Sequence, residues 1–176
     1  MKNRNNRGYT LIELIISVGL FALVMTLAAG AYLTIIGISR QTQGITSGID
    51  NVSFALETMT RTIRTSTNYG CPIPNTDCSG GSTFSIVNGS GQTVRYTSSS
   101  CVITQTTNGV IVPLTDSSIH ITSLTFYAVG TKSFTTNGDT TQARVTILIS
   151  GTVSSGPGKT APFSVETGAT MRGTDI

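Results

Sequence analysis

Glu13 is the only charged side chain in the apolar run from Tyr9 to Ile38 of this 176-residue chain. A carboxylate held in hydrocarbon costs about 2.5–3.5 kcal/mol on insertion-based scales, so such a residue marks a function with a specific partner. The other reactive groups are Cys71, Cys78 and Cys101. In an oxidising exterior Cys71 and Cys78 can close a small loop over residues 72–77, and pairing of either with Cys101 stays open. No CxxC occurs and His120 is the single histidine, which does not suit zinc. Asp116 and Asp139 stand in separate loops, too few oxygens for a calcium ion that takes roughly six to eight. There is no GxSxG, no phosphate-binding glycine loop, no HExxH and no close carboxylate pair. Neither a catalytic residue nor a metal or other cofactor is expected.

Glu13 must be positioned by a helix. Leu14 to Ile38 is 25 residues without a charge, about 37 Å as an α-helix and enough to cross a ~30 Å hydrocarbon core with some tilt. The segment before it, MKNRNNRG, carries Lys2, Arg4 and Arg7, and the positive-inside rule keeps it in the cytoplasm and sends the remainder outward. Gly30 is read either as a helix-weakening point or as a small residue for close packing in lipid. Past Arg40, the residues Ile45, Ile49, Val52, Leu56, Met59 and Ile63 recur at steps of 4, 3, 4, 3 and 4, an apolar stripe that predicts an amphipathic helix packed beneath a sheet. Glu57 and Arg61 form a favourable i,i+4 pair. Gly44 and Gly48 are expected to weaken or kink the junction, and Asn68, Gly70 and Pro72 to end the helix.

The remainder reads as short strands and turns. Asn88-Gly89-Ser90-Gly91 and Asn108-Gly109 mark hairpins. A change of phase between Ile119/Ile121 and Leu124/Phe126 predicts a β-bulge near Thr122-Ser123. Val145, Ile147 and Ile149 alternate clearly, and a last strand opens at Phe163 and runs to Met171. The segment around the first two cysteines is expected to be a weakly ordered loop. The fold class is therefore α+β, a long N-terminal helix packed on an antiparallel β-sheet head. Its expected parts are residues 1–8, a membrane segment 9–39, an amphipathic helix 40–69 and a head 70–176.

Charge excludes one class. The formal +3 comes from eleven basic and eight acidic residues, but three of the basic ones precede Tyr9. From Tyr9 onward eight bases balance eight acids, so steering to an anionic partner is unsupported and no nucleic acid is expected.

Two ordinary readings of the N-terminus compete. A secretory signal cleaved after Ala28-Ala29-Gly30 is disfavoured by Glu13 and by apolar sequence that continues through Leu33, Ile35, Ile36 and Ile38. A plain single-pass anchor would leave Glu13 at the cytoplasmic headgroups. The succession Gly8, Tyr9, Thr10, Leu11, Ile12, Glu13, then some twenty apolar residues, instead resembles the type IV prepilin signal, with Tyr9 where phenylalanine is commoner. That resemblance implies cleavage between Gly8 and Tyr9 by a prepilin peptidase and N-methylation of Tyr9. It also implies that Glu13 neutralises the new amine of a neighbouring subunit, with an intrachain Tyr9–Glu13 pair as the simpler alternative.

The stretch Phe54–Arg64 and the later order Val94-Arg95-Tyr96, Val112-Pro113-Leu114-Thr115 and Ile121–Phe126 resemble J-type minor pseudopilins and W-type minor pilins. Glu13 itself argues against the K-type tip subunit. The resemblance implies a non-enzymatic subunit in the cytoplasmic (inner) membrane with its head exported, then at the tip of a pilus or pseudopilus. It would help to initiate or cap a type IV pilus or type II secretion pseudopilus, with other major and minor pilins or pseudopilins as partners. The competing expectations are a filament-tip adhesin or ligand-binding minor pilin, and a conventionally secreted β-protein.

Overall fold

Thr10 starts the helix. Its Oγ1 accepts a hydrogen bond from the Glu13 N–H (3.3 Å) and its carbonyl accepts one from the Leu14 N–H (3.2 Å), so helix α1 runs Leu11–Arg64. The computed structural model describes residues 9–71, 73–132, 140–156 and 158–172. The chain divides into two compact units, Met1–Gln41 and Thr42–Ile176. In the first, α1 is long and apolar enough to cross a membrane, and its most apolar window is wholly exposed. Three of its hydroxyls bond back to the helix: Ser17 donates to the Leu14 carbonyl, Thr26 to Leu23 and Thr34 to Gly30. These back-bonds let polar side chains sit in a lipid-length segment without orphaned donors.

In the second unit α1 buries Gly48, Val52, Ala55, Leu56, Met59 and Ile63. α1 is continuous through Gly44 and Gly48, so the weakening expected there does not interrupt it. These glycines serve close approach instead. A Cβ at Gly48 would fall on the Val153 side chain, and one at Gly44 would lie 2.7 Å from the Ser154 carbonyl oxygen. Because the helix presents Gly48 to the sheet, its neighbour Ile49 is turned out and is 50% exposed, which corrects its place in the apolar stripe.

The helix ends where its last carbonyls find partners outside it. The Tyr69 hydroxyl donates to the Ile63 (2.6 Å) and Ser66 (2.7 Å) carbonyls. Ser66 Oγ donates to the Thr62 carbonyl (2.6 Å), and the Arg172 N–H to that of Arg64 (3.0 Å).

Among the described residues the head has nine strands: β1 (Thr67–Gly70), β2 (Cys78–Gly81), β3 (Thr83–Val87), β4 (Thr93–Ser99), β5 (Val102–Thr107), β6 (Val110–Pro113), β7 (Ile119–Val129), β8 (Arg144–Ser154) and β9 (Thr160–Thr170). They form two antiparallel sheets, ordered β1-β3-β4-β5-β6 and β2-β7-β8-β9. The two-residue turn Asn108-Gly109 has φ of 50° and 84° and pairs Thr107 with Val110, as the Asn-Gly pair predicts. In the β3–β4 turn, Asn88 Oδ1 accepts from the Ser90 and Gln92 N–H groups. The register of β7 against β8 slips between Ile121 and Ser123, where the phase change in the sequence places the bulge. The final strand starts at Thr160, three residues before the expected Phe163, and Met171 lies just beyond it.

Facing side chains of the sheets and α1 make one core. Phe84 and Phe126, both wholly buried, stack with centroids 5.2 Å apart, and Tyr69 stacks on Phe84 at 6.1 Å. Sheet one is thereby joined to sheet two through three rings.

β1 ends just before Cys71 and β2 begins at Cys78, so two short strands bracket the expected loop. β1 and β2 are edge strands of different sheets, and a Cys71–Cys78 disulfide (Cα–Cα 5.6 Å) links the end of one to the start of the other. Asp77 fixes the same segment by accepting from the Thr131 N–H (3.0 Å) and hydroxyl (2.9 Å). Gly81 is needed here, because a Cβ would stand 2.6 Å from Cys71 Cβ. Closing a loop with a separation of 7 residues corresponds to about 2–3 kcal/mol in the chain-entropy account. The double replacement Cys71→Ser, Cys78→Ser is expected to lower the unfolding free energy of the head by that amount, and its urea midpoint by that amount divided by the m-value. An unchanged midpoint would contradict it.

Candidate functional site

The candidate site is the start of α1. Gly8 lies outside the described residues, as do residues 1–7. Tyr9 is 86% exposed and precedes the helix. Glu13 follows one turn later and is exposed. It shares one face of α1 with Ile16, Ser17, Leu20, Phe21 and Val24, which together line a shallow apolar groove. The spacing i, i+3, i+4, i+7, i+8, i+11 puts all six along one side of a helix.

Glu13 has no cation further along its own membrane segment. The next basic residue in sequence after it is Arg40, about 40 Å of helix away. The Tyr9 nitrogen is a peptide amide in the uncut chain and becomes an ammonium, with a reference pKa near 8, only if the Gly8–Tyr9 bond is broken. The exposed carboxylate can therefore face a second chain, and cleavage would create a cation of matching kind.

Thr10 stands in the expectations above only as a member of the signal motif, without the capping role it has here. It is the N-cap of α1 and Glu13 occupies the third helical position. The T-x-x-E spacing at residues 10–13 is the capping-box pattern and could have identified Thr10 directly. Glu13 thus stands at the positive end of the helix dipole, where a carboxylate is favoured.

The remaining candidates are dispersed over the head. Cys101 is free, half-exposed, and sits in the β4–β5 turn with φ of 64°. His120 lies on an exposed position of β7. Asp116 accepts a hydrogen bond from the Ser118 N–H (2.8 Å), and hydrogen bonding from Ser118 holds its carboxyl below the ordinary range. Asp139 lies outside the described residues. Among those described, no three His, Cys, Asp or Glu side chains converge as a metal site would require.

Comparison with known proteins bears on the N-terminus alone. No curated protein and no solved structure matches the chain. Residues 3–29 match the family described as the prokaryotic N-terminal methylation motif. That stretch spans the basic segment, Gly8, Tyr9, the Thr10 cap, Glu13 and the first half of the apolar helix. Together with one N-terminal helix long and apolar enough to cross a membrane, it fits a membrane-anchored, single-pass chain. The chain carries the prepilin-type signal of the type IV pilin-like family.

Proposed function

We propose that this chain is a non-enzymatic assembly subunit, a minor pilin or minor pseudopilin most like the J and W types, which helps to initiate or cap its filament. A prepilin peptidase cuts between Gly8 and Tyr9, the new amine is methylated, and the head stands outside the cytoplasmic membrane. Glu13 then pairs with the Tyr9 ammonium of a neighbouring stem. Because both charges lie at fixed heights on their helices, the pair sets axial register as well as offsetting part of two desolvation costs.

The observation that carries this reading is a methylation-motif N-terminus whose Glu13 stands exposed on a lipid-length helix, far from the next cation on that helix. The test is affinity purification of the full-length chain from detergent-solubilised membranes of its own cell. Other pilin-type chains are expected in the eluate, and recovery of this chain alone would overturn the assembly role.

A further inference from the structure

Among the described residues four strands stand at sheet edges: β1 and β6 in one sheet, β2 and β9 in the other. An open edge invites another chain, and folded proteins guard theirs with bulges, charges or proline. β1 and β2 slip in register and are tied together through Cys71–Cys78. β9 carries Pro162 and Glu166, both exposed. β6 keeps only a terminal Pro113, and the three residues before it, Val110, Ile111 and Val112, are 64%, 66% and 51% exposed. Residues paired across a ladder share a face. Tyr96, wholly buried, pairs with Gln105, and Gln105 with Val112, so Val110 and Val112 continue the core face of their sheet past the part that is covered. Ile111 lies on the other face. The backbone directions follow from the same register. Thr107 closes the turn against Val110, and the Leu114 N–H donates to the Ile103 carbonyl (2.8 Å). Bonded and non-bonded pairs alternate along an antiparallel ladder, so Val110, Val112 and Leu114 bond to β5 while Ile111 and Pro113 turn their backbone groups outward. Proline has no N–H, which makes the Ile111 N–H the outward donor of β6.

We propose that β6 pairs with β6 of a second copy, antiparallel and centred on Ile111, so that two heads join through one continuous sheet. The contact goes beyond the assembly reading and does not rest on it, since it uses neither Glu13 nor the packing of stems. Each Ile111 N–H donates to the Ile111 carbonyl of the other copy, and Val110 of one faces Val112 of the other. A fitting strand must be apolar on both faces and must make its bonds at one residue, because a longer ladder meets Pro113. β6 is itself such a strand. Neither β5 nor β6 holds a charge, so two copies meet there without like-charge repulsion. The facing residues are β-branched, the type that packs best across a ladder. Three side chains from each copy cover less than the ~800 Å² per partner of a standard interface, so the pairing is weak and reversible in detergent. It is isologous, closes at two copies and does not propagate.

The test traps the pair in full-length chains that all carry Cys101→Ser, so that a new cysteine has no other free thiol to meet. One tagged chain bears Val110→Cys and a second, with another tag, bears Val112→Cys. They are co-expressed, and the membranes are treated with copper phenanthroline and air, which oxidise facing thiols to a disulfide. The mixed pair should cross-link at least about tenfold more than either chain alone, because only the unlike positions stand opposite each other in this register. Ile111→Pro in both chains removes the outward N–H and spares the bonds to β5. It should lower the mixed cross-link about tenfold while the circular dichroism spectrum and urea midpoint hold. Ile111→Lys keeps the N–H, sets like charges opposite each other and should lower it as far. Equal yields from mixed and single-site samples would overturn the proposal, and so would a mixed yield that both Ile111 variants leave unchanged. Cross-links formed only to other proteins would assign the edge to a foreign strand and overturn it too. A mixed cross-link that survives Glu13→Ala supports the edge pairing. If Glu13→Ala removes it, the heads meet only through their stems, and the edge proposal falls while the assembly reading stands.

Discussion

Glu13→Ala is expected to leave membrane insertion and removal of residues 1–8 intact while nearly abolishing recovery of partner subunits. Insertion does not need the acid, since its loss makes the segment more apolar. Association does need it, if the neighbour's ammonium is buried among stems. Removing one partner of a buried ion pair costs about 3–5 kcal/mol, because the other charge is left without compensation. Each 1.4 kcal/mol is tenfold in an equilibrium constant, so association should weaken on the order of a hundred-fold or more. Glu13→Gln separates charge from shape and from capping, because glutamine keeps the side-chain size and serves equally in a capping box. It should fail as alanine does. Thr10→Ala removes the N-cap of α1 and is expected to cost only about 1 kcal/mol. Quantitative co-purification from solubilised membranes reads all three, and wild-type recovery with Glu13→Gln would show that the charge is not the connector.

Phe126→Ala should be the most damaging single change in the head. Phe126 is 0% exposed and its ring stacks on Phe84, which in turn stacks on Tyr69. Alanine there leaves a void at the junction of the two sheets, and truncation of a buried Phe costs about 3–5 kcal/mol. A domain of this size has about 5–15 kcal/mol in total, so the change consumes a large share of it. The urea midpoint, followed by far-ultraviolet circular dichroism of the full chain in detergent, should fall accordingly. Phe54→Ala provides the control, since Phe54 is 65% exposed on α1 and surface changes stay within about 0.5 kcal/mol. Equal midpoints for the two variants would contradict the placement of the aromatic junction.

Much of this architecture is legible in the residues themselves. The uncharged run after Glu13, the 3.6-residue recurrence from Val52 to Ile63, the Asn108-Gly109 turn and the phase change at Thr122 each follow from a local rule, and each appears where that rule puts it. What stayed hidden depends on contacts distant in sequence. Gly44 and Gly48 suggest weakness when taken alone, yet they exist because Val153 and Ser154 come up against α1. Ile49 fits the stripe by spacing and leaves it because Gly48 takes the contact face. β1 and β2 are four residues each and rich in polar and small residues, so only pairing with β3 and β7 makes them strands. At the site, Glu13 is conspicuous as a charge in apolar surroundings. Thr10 is inconspicuous because threonine is common throughout the chain, and only its three-residue spacing from Glu13 distinguishes it.

Determining the N-terminus of the membrane-extracted protein by mass spectrometry of its first peptide tests the central claim most directly. The account predicts a chain that begins at Tyr9 and carries a methylated amine, so that the cation meant for Glu13 exists only after the Gly8–Tyr9 bond is cut. A chain that begins at Ala31, with Glu13 discarded in a secretory signal, would contradict it.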